Sequence, residues 1–524
     1  MNTAALLAEQ AACRPDAAAI VEASTGRTLS FAGLEAAAAH TASQLRARGV
    51  GRGDAVLVIV PMSARLYVLL AALFRIGAVA VFPDPSAGRD QIDRCCQLLP
   101  ARAFIGTPKA HLLRGVVGGL RRIPVAFTTQ GWIPGARVLT CGAESATRAE
   151  PVAAVEPDWP ALVTFTSGST GIPKAAVRSH GVLLAQQRAV ADALALTPGA
   201  VDLATLPIFV LANLAAGVTS VLPDVDVRRP GAVDPRAILA TVQRYQPSRA
   251  AGSPALFERL IAGARDAGAA LPSFERIFVG GAPVFPGLLD RLAAVAPRAR
   301  VVAVYGSTEA EPIADIDRAD VGDADRAAMI AGRGLLTGRP VTAVRVVILP
   351  DRWGQPLAAM RAEDFAASCL TDGSPGEIVV TGAHVLPGYL HGIGDEETKC
   401  RVGDDVWHRT GDAGWIDEHG RIWLLGRCAA RVSDARGAFY PFSVECAAVE
   451  ILGVRRAAAV AVRGRRVLAL ELHPRATAPD LNRLAGPLSW ACLDDVRVVA
   501  RIPVDRRHNA KVDYAALARM ASRW

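Results

Sequence analysis

The run Thr164-Phe165-Thr166-Ser167-Gly168-Ser169-Thr170-Gly171-Ile172-Pro173-Lys174 constrains this chain more than any other stretch. Ala161-Leu162-Val163 leads into it and Ala175-Ala176-Val177 leads out, so it reads as strand, loop, strand. Its glycines let the backbone turn tightly and approach a ligand, because no Cβ stands in the way. The four hydroxyls of Thr166, Ser167, Ser169 and Thr170 and the free N–H groups can converge on an anion, and Lys174 adds a point charge. Physically this is a phosphate cradle. It is not a Walker A loop, since the Gly-Lys-Ser/Thr ending is missing and Pro173 sits where a helix would have to start. The bland alternative is a Ser/Thr/Gly surface turn. Strand flanks on both sides and the terminal lysine weigh against it.

Around the cradle, helical and strand patterns alternate. Ala32 to Arg48 has helical spacing and Gly49-Val50-Gly51 closes it; Ala55 to Val60 is an apolar run of the kind buried on both faces. Ser63 to Arg75 reads as helix, and Ala78 to Phe82, Ala103 to Gly106 and Val125 to Phe127 as strands. After the cradle, Gly181 to Leu194 is helical, Leu206 to Phe209 reads as a turn, and Ser220 to Leu222 and Arg276 to Val279 are strands. Such alternation implies right-handed βαβ crossovers and an α/β, mostly parallel sheet, with ligands at the carboxyl ends of strands. From about Val341 shorter strands follow (Val344 to Leu349, Gly376 to Thr381, Arg421 to Leu425), which predicts a small β-rich subdomain. The α+β segment after Gly426-Arg427 is expected to fold as a separate lid.

At 524 residues the chain is too long for one ordinary core. Its net charge of +8 comes from arginines scattered in an Ala/Arg-rich composition, which fits a solvated surface with affinity for anionic substrates and not a nucleic-acid-binding face. Nine cysteines lack metal spacing, the N-terminus lacks a signal-peptide pattern and no apolar run is long enough to span a bilayer. A cytoplasmic protein with reduced thiols and no integral membrane segment is expected.

Three further segments carry chemistry. Val304-Tyr305-Gly306-Ser307-Thr308-Glu309 ends an apolar strand in groups able to stack on a base, touch a phosphate and hold a hard cation. Arg409-Thr410-Gly411-Asp412 sets a carboxylate on a tight turn, suited to ribose hydroxyls, although an Asp after Gly is commonly only a turn residue. Asn509-Ala510-Lys511 lies near the C-terminus.

In this order the motifs resemble the adenylate-forming superfamily of acyl-CoA synthetases, peptide-synthetase adenylation domains and luciferases. The resemblance covers essentially the whole chain. It implies an N-terminal AMP-binding domain over residues 1–426, a hinge at 427–433 and a small mobile C-terminal lid over 434–524. It implies activation of a carboxylic acid by ATP and Mg²⁺ to an acyl-adenylate, with pyrophosphate leaving. By the same resemblance Thr166, Ser167, Gly168, Ser169, Thr170, Gly171 and Lys174 form the phosphate loop, and Gly281, Ala282 and Pro283 the turn beside adenine. Tyr305 would stack on adenine, with Gly306 and Ser307 in its turn; Thr308 would contact phosphate and Glu309 bind Mg²⁺. Asp412, with Arg427 beside it, would hold the ribose, and Lys511 would bridge the carboxylate and the α-phosphate. Phe209, Leu211, Asn213 and Gly252 are expected to line an apolar acid pocket.

Some positions depart from the superfamily. Ala429 stands where the hinge usually has Asp or Lys, Ser433 where a lysine is often found, and the histidine of the aromatic gate is missing around Pro207 to Asn213. None of these touches the ATP site. They count against a conventional transfer to coenzyme A. Several stretches instead look like the olefin-pathway β-lactone synthetases and their fatty acid CoA ligase relatives: Ala103 to His111, Pro223-Asp224 with Arg229-Pro230 and Asp234-Pro235, Gly252-Ser253-Pro254-Ala255, and Pro503 to Lys511. That branch implies attack of a β-hydroxyl on its own acyl-adenylate. Transfer to a thiol of CoA or of an acyl-carrier protein, or to an unusual acceptor in natural-product assembly alongside other biosynthetic enzymes, is the alternative. A nucleotide-binding protein without catalysis is a third reading, opposed by the intact Lys174, Glu309, Asp412 and Lys511.

Overall fold

The computed structural model describes residues 1–84, 87–141, 150–167, 173–450, 453–473, 486–504 and 512–524. They fall into two compact units: Met1–Asp224, Ala240–Ala251 and Ala383–Asp395 form the first, and Val225–Leu239, Gly252–Gly382 and Glu396–Trp524 the second.

In the first unit, α1 (Ala4–Cys13) precedes a hairpin of β1 (Ala18–Glu22) and β2 (Arg27–Ser30). The Ser30 hydroxyl accepts from Gly33 N–H and starts α2 (Phe31–Arg46). Next come β3 (Ala55–Ile59), α3 (Ala64–Arg75), β4 (Val79–Phe82), α4 (Arg89–Leu98) and β5 (Ala103–Gly106). Three short helices, α5 (Pro108–His111), α6 (Leu113–Val116) and α7 (Gly118–Arg121), lead to β6 (Val125–Thr128) and β7 (Arg137–Val138). The cradle strands are β8 (Pro160–Ser167) and β9 (Pro173–Ser179), followed by α8 (His180–Ala193), β10 (Val201–Ala204), α9 (Pro207–Ala216), β11 (Thr219–Leu222) and β12 (Arg249–Gly252). One sheet has the order β7-β6-β5-β3-β4-β8-β9, parallel except for the β8–β9 hairpin. The other runs β12-β10-β11-β1-β2, parallel up to the β1–β2 hairpin. An apolar core drawn from α2, α3, α9 and strands of both sheets includes Phe31, Leu34, Tyr67, Phe127 and Val210.

One expectation is corrected here. Leu206 to Phe209 is no turn: Pro207 opens α9 at its first position, where a missing N–H costs nothing. The helix ends at Gly217 with φ +70°, and a Cβ there would fall 2.6 Å from Gln10 Oε1. Its near-continuous apolar sequence hides the helical period, because most of its surface is buried.

In the second unit, β13 (Arg276–Val279) pairs in parallel with β14 (Arg300–Tyr305). Antiparallel neighbours then take over: β15 (Ala314–Asp317), β16 (Leu335–Pro340), β17 (Arg345–Leu349), β18 (Gly376–Thr381), β19 (Lys399–Val402), β20 (Asp405–Ile416) and β21 (Ile422–Arg427), in the order β17-β18-β20-β21-β16-β15-β14-β13 with β19 also on β20. The β-rich expectation after Val341 matches β17, β18 and β21; the twelve-residue β20 was legible only as its turn motif. Farther on, the helix Pro441–Val449 packs with β-strands Val454–Val462, Arg465–Leu472 and Asp495–Val498 around a small core of their own. Residues beyond Gly426 thus group by contact with the second unit. All nine cysteines are free thiols.

Candidate active site

In the second unit, Tyr305 is the last residue of β14 and Gly281 lies just past the carboxyl end of its parallel neighbour β13. Gly280 is needed for close approach: its N–H donates to Gly252 O at 3.0 Å, and a Cβ on it would sit 3.0 Å from Val304 O. Gly281 has φ +81° with nothing within 4 Å of where a Cβ would be, so the turn formed with Ala282 and Pro283 presents open backbone. The Tyr305 hydroxyl donates to Asp412 Oδ2 at 2.8 Å. Burial and the Asp412 carboxylate push the phenol well above its ordinary pKa, so it stays a donor.

Asp412 lies opposite Arg427 in the β20–β21 register, and Arg427 Nη1 stands 3.2 Å from Asp412 Oδ1. The same nitrogen donates to Thr410 O, while Asp412 N–H donates to Thr410 Oγ1 at 3.0 Å. The Asp412 carboxylate raises the Arg427 pKa, outweighing the effect of burial. Gly411 has φ +67° and carries the Trp353 ring beneath it: a Cβ would lie 2.8 Å from Cη2. That close packing explains the glycine of the Thr-Gly-Asp motif. Tyr305, Asp412 and Arg427, read from three separate motifs, are thereby brought into one hydrogen-bonded set.

Beyond Tyr305 the chain makes a tight turn. Ser307 Oγ accepts from Glu309 N and Ala310 N, both at 3.2 Å, so its side chain holds the turn. A Cβ on Gly306 would crowd Ala310 O at 3.1 Å. The turn leaves Thr308 exposed and Glu309 half-buried. Behind them are two residues that sequence reasoning missed. The buried Lys399 Nζ lies 3.2 Å from His408 Nδ1. Burial and the Lys399 ammonium push the His408 imidazole down to about 3, with Glu309 pulling the other way, so His408 is neutral near pH 7. Among the described residues no group of three or more His, Cys, Asp and Glu forms a metal site. A single carboxylate such as Glu309 suits a Mg²⁺ that arrives on phosphates, since Mg²⁺ commonly binds through one or two carboxylates plus phosphate oxygens.

Arg409 fixes the strand from below. It is fully buried, donates through Nη2 to Glu377 Oε2 at 2.7 Å and through Nη1 to Gln355 O at 2.6 Å, and lies 5.4 Å from the Trp353 ring centroid. At the start of the same loop, Asp351 accepts from Tyr440 at 2.8 Å and pairs with Arg431 at 3.0 Å.

In the first unit, the flanks of the cradle are the expected strands, β8 and β9. Thr166 pairs with Lys174 and Ser167 with Pro173 at the end of the hairpin. Gly168, Ser169, Thr170 and Gly171 lie outside the described residues, as does Lys511. The Lys174 side chain is buried, with its ammonium 5.9 Å from the Tyr389 ring centroid. Gly394 makes room for it: a Cβ there would fall 2.5 Å from Lys174 Cδ and 2.9 Å from Nζ. Tyr389 is held by a bridge to Ala176, and its N–H donates to Asp395 Oδ1 at 2.9 Å. Tyr389 and Gly394 went unnoticed in the sequence, where nothing links them to Lys174.

Of the residues expected to line an acid pocket, Phe209, Leu211 and Asn213 share α9. Asn213 is 1% exposed and donates to Asp202 Oδ2 at 2.8 Å and Ser220 Oγ at 3.1 Å. These bonds tie its side chain into the core of the unit. Leu211 lines a narrow apolar crevice with Leu6, Leu183, Val190 and Ile208, between α1, α8 and α9. Phe209 is buried on the same helix.

Residues 7–390 match the model of the AMP-binding enzyme family. The chain belongs to that family. An olefin β-lactone synthetase of Stenotrophomonas maltophilia (strain K279a) is 34% identical to this AMP-binding enzyme, over 99% of this chain and 98% of its own. Another, from Xanthomonas campestris pv. campestris, is 34% identical over 94% and 90%. Among solved structures, ATP-bound MatB from Rhodopseudomonas palustris superposes with a TM-score of 0.81 at 22% identity, covering 100% of this chain and 99% of that one. The enzyme therefore has the α/β fold of adenylate-forming ligases, and the ATP-bound neighbour shows that this fold accommodates ATP. No helix among the described residues is long and apolar enough to cross a membrane.

Proposed function

We propose that this enzyme adenylates a β-hydroxy carboxylic acid and lets the β-hydroxyl close on the activated carbonyl, releasing a β-lactone and AMP. The full-length likeness to two olefin β-lactone synthetases carries the reading. The departures at Ala429 and Ser433 agree with it, since no thiol acceptor is required.

In the first half-reaction the carboxylate oxygen attacks the α-phosphorus of ATP and pyrophosphate leaves. Asp412 and Arg427 would orient the ribose, Tyr305 would lie against adenine, and the cradle with Lys174 would hold the departing phosphates. Mg²⁺, held by Glu309 and phosphate oxygens, would offset their charge. Lys511, on a lid formed by 434–524 and hinged at 427–433, would bridge the carboxylate and the α-phosphate. Removing one such preorganised donor typically lowers the rate about 10²–10³-fold. Lys511→Ala should therefore abolish most pyrophosphate release while its melting curve stays that of the wild type.

In the second half-reaction the hydroxyl oxygen forms a bond to the acyl carbon, the acyl–phosphate bond breaks, AMP carries away the electron pair and the hydroxyl proton is released. Well-oriented intramolecular attack reaches effective molarities of about 10⁵–10⁸ M, worth roughly 7–11 kcal/mol, which offsets much of the strain of a four-membered ring. Free thiols throughout support a reducing, cytoplasmic setting. The deciding experiment incubates the enzyme with ATP, Mg²⁺ and a β-hydroxy acid, with and without coenzyme A, and identifies products by mass. Lactone without thiol is expected. Thioester formed only when thiol is present would replace this reading with that of a CoA ligase.

A further inference from the structure

One edge of the first unit differs in chemistry from the rest of the chain. Between Asp93 and Glu144 the sequence holds six arginines and one lysine and no Asp or Glu. The same stretch supplies four of the six exposed large hydrophobic residues among those described: Leu112, Val116, Trp132 and Val138. Trp132 is 79% exposed and Leu112 75%.

The topology brings the segments that carry Leu112, Trp132 and Val138 to one end of the sheet. β5, β6 and β7 are parallel neighbours, and Val138 pairs with Thr128, so their carboxyl ends share one end of the sheet edge. Thr129 N–H donates to Gly106 O at 3.0 Å, and His111 Nε2 lies 3.0 Å from Phe127 O, which seats α5 against β6. A Cβ on Gly131 would fall 3.9 Å from Pro108 Cγ, so Trp132 follows directly from a contact with the start of α5, which carries exposed Lys109. Exposed Arg121 donates back to Gly115 O at 2.9 Å, beside Val116. Arg137 and Val138 are exposed on the edge strand itself. The carboxylates that precede the stretch, Asp90 and Asp93, belong to α4, where Asp93 accepts from Gly119 N–H.

We infer that this edge docks on an anionic lipid bilayer. Aromatic and aliphatic side chains that enter the headgroup layer, interleaved with cations, are the composition of an interfacial surface. A protein partner would be met by a patch whose centre is depleted of charge, whereas here the cations interrupt the apolar residues. A two-residue edge strand is also too short to pair stably with a strand of a second copy. The contact is peripheral. It would bring the enzyme to acids held in a membrane, yet it does not depend on what happens to the adenylate.

The test is co-sedimentation of the full chain with vesicles of phosphatidylcholine alone and of phosphatidylcholine with phosphatidylglycerol, at low and high salt. Binding is expected only to the anionic vesicles and to weaken with salt. Each cation near an anionic surface contributes about fivefold, so Lys109→Gln with Arg137→Gln should weaken binding by about 30-fold. Trp132→Ala should weaken it several-fold at both salt concentrations. Pyrophosphate exchange with a water-soluble acid and no vesicles should be unchanged in all variants, which shows that they fold; Leu112→Ser is the substitute for any variant that fails this check. Equal binding to neutral vesicles, or binding indifferent to these substitutions, overturns the proposal. So does light scattering that finds the wild type self-associated and the variants monomeric, which would make the edge an interface between copies.

Discussion

The Tyr305–Asp412–Arg427 set of the second unit and the Lys174 seat of the first, which the proposed function assigns to the nucleoside and to the phosphates, are built by different means. Around Tyr305, Asp412 and Arg427 every key group already has a partner on the protein, and the set is held before any ligand arrives. Around Lys174 the protein supplies the Tyr389 ring and, at Gly394, the room that the lysine chain itself fills. The first depends on a charged hydrogen-bonded set, and the second on close packing of the lysine chain against a glycine. Substitutions should therefore act through stranded polar groups on the first and through steric displacement on the second.

Within this comparison the largest effect is expected from Asp412→Ala. It removes the acceptor of Tyr305 and the carboxylate partner of Arg427, so kcat/KM for ATP in pyrophosphate exchange should fall about 10²-fold, roughly 3 kcal/mol. A drop of only a few-fold would mean that the preformed set contributes little.

Each unit also buries a carboxylate, and these sharpen the contrast. Burial raises Asp202, beside Asn213, to about 6, and Glu445, which accepts from Tyr514 and Ala459 N–H, to about 7. A carboxyl raised in the folded state binds its proton more tightly there than in the unfolded chain. The stability this confers is complete below about 4.5 and is lost as pH rises toward 7. For Glu445 the change amounts to roughly 3 kcal/mol across that window. Thermal melts of Glu445→Gln should match the wild type near the acid end and exceed it increasingly up to pH 7; a constant difference would show that Glu445 does not titrate there.

Gly394→Ala comes next. The added methyl takes the space of the Lys174 chain, and φ +99° disfavours any side chain, so exchange should fall about tenfold with a raised KM for ATP. Unchanged kinetics would remove the seat from the account. The smallest effect belongs to the Tyr389 ring. Tyr389→Ala should lower exchange about three- to fivefold, as expected for a cation–π contact of about 0.5–1 kcal/mol, while Tyr389→Phe keeps the ring and restores the rate.

These two sides were unequally visible in the sequence. Tyr305, Asp412 and Arg427 each sit in a compact motif whose glycines answer to local crowding, as at Gly411 over Trp353, so local spacing announced them. Tyr389 and Gly394 meet Lys174 only through tertiary folding and carry no motif of their own. The α/β alternation was legible because buried parallel strands read as unbroken apolar runs. The same property concealed α9, whose surroundings are apolar on most sides, and with it the inward commitment of Asn213 to Asp202 and Ser220. β20 was hidden for a related reason: nine consecutive residues from Trp407 to Trp415 are buried, polar ones included, so no alternation marks the strand.

The Arg409–Glu377 pair has a consequence for how this protein can vary. Both side chains lie out of reach of water beneath the strand that carries Asp412. Losing either one leaves a lone charge in the interior, typically about 3–5 kcal/mol, whereas a matched apolar pair can be nearly neutral. Single steps away from either residue are therefore blocked, and the two positions are free to change only together. The route from one workable sequence to another at this site passes through an epistatic valley, which makes Arg409 a historical anchor of the motif as well as a physical one.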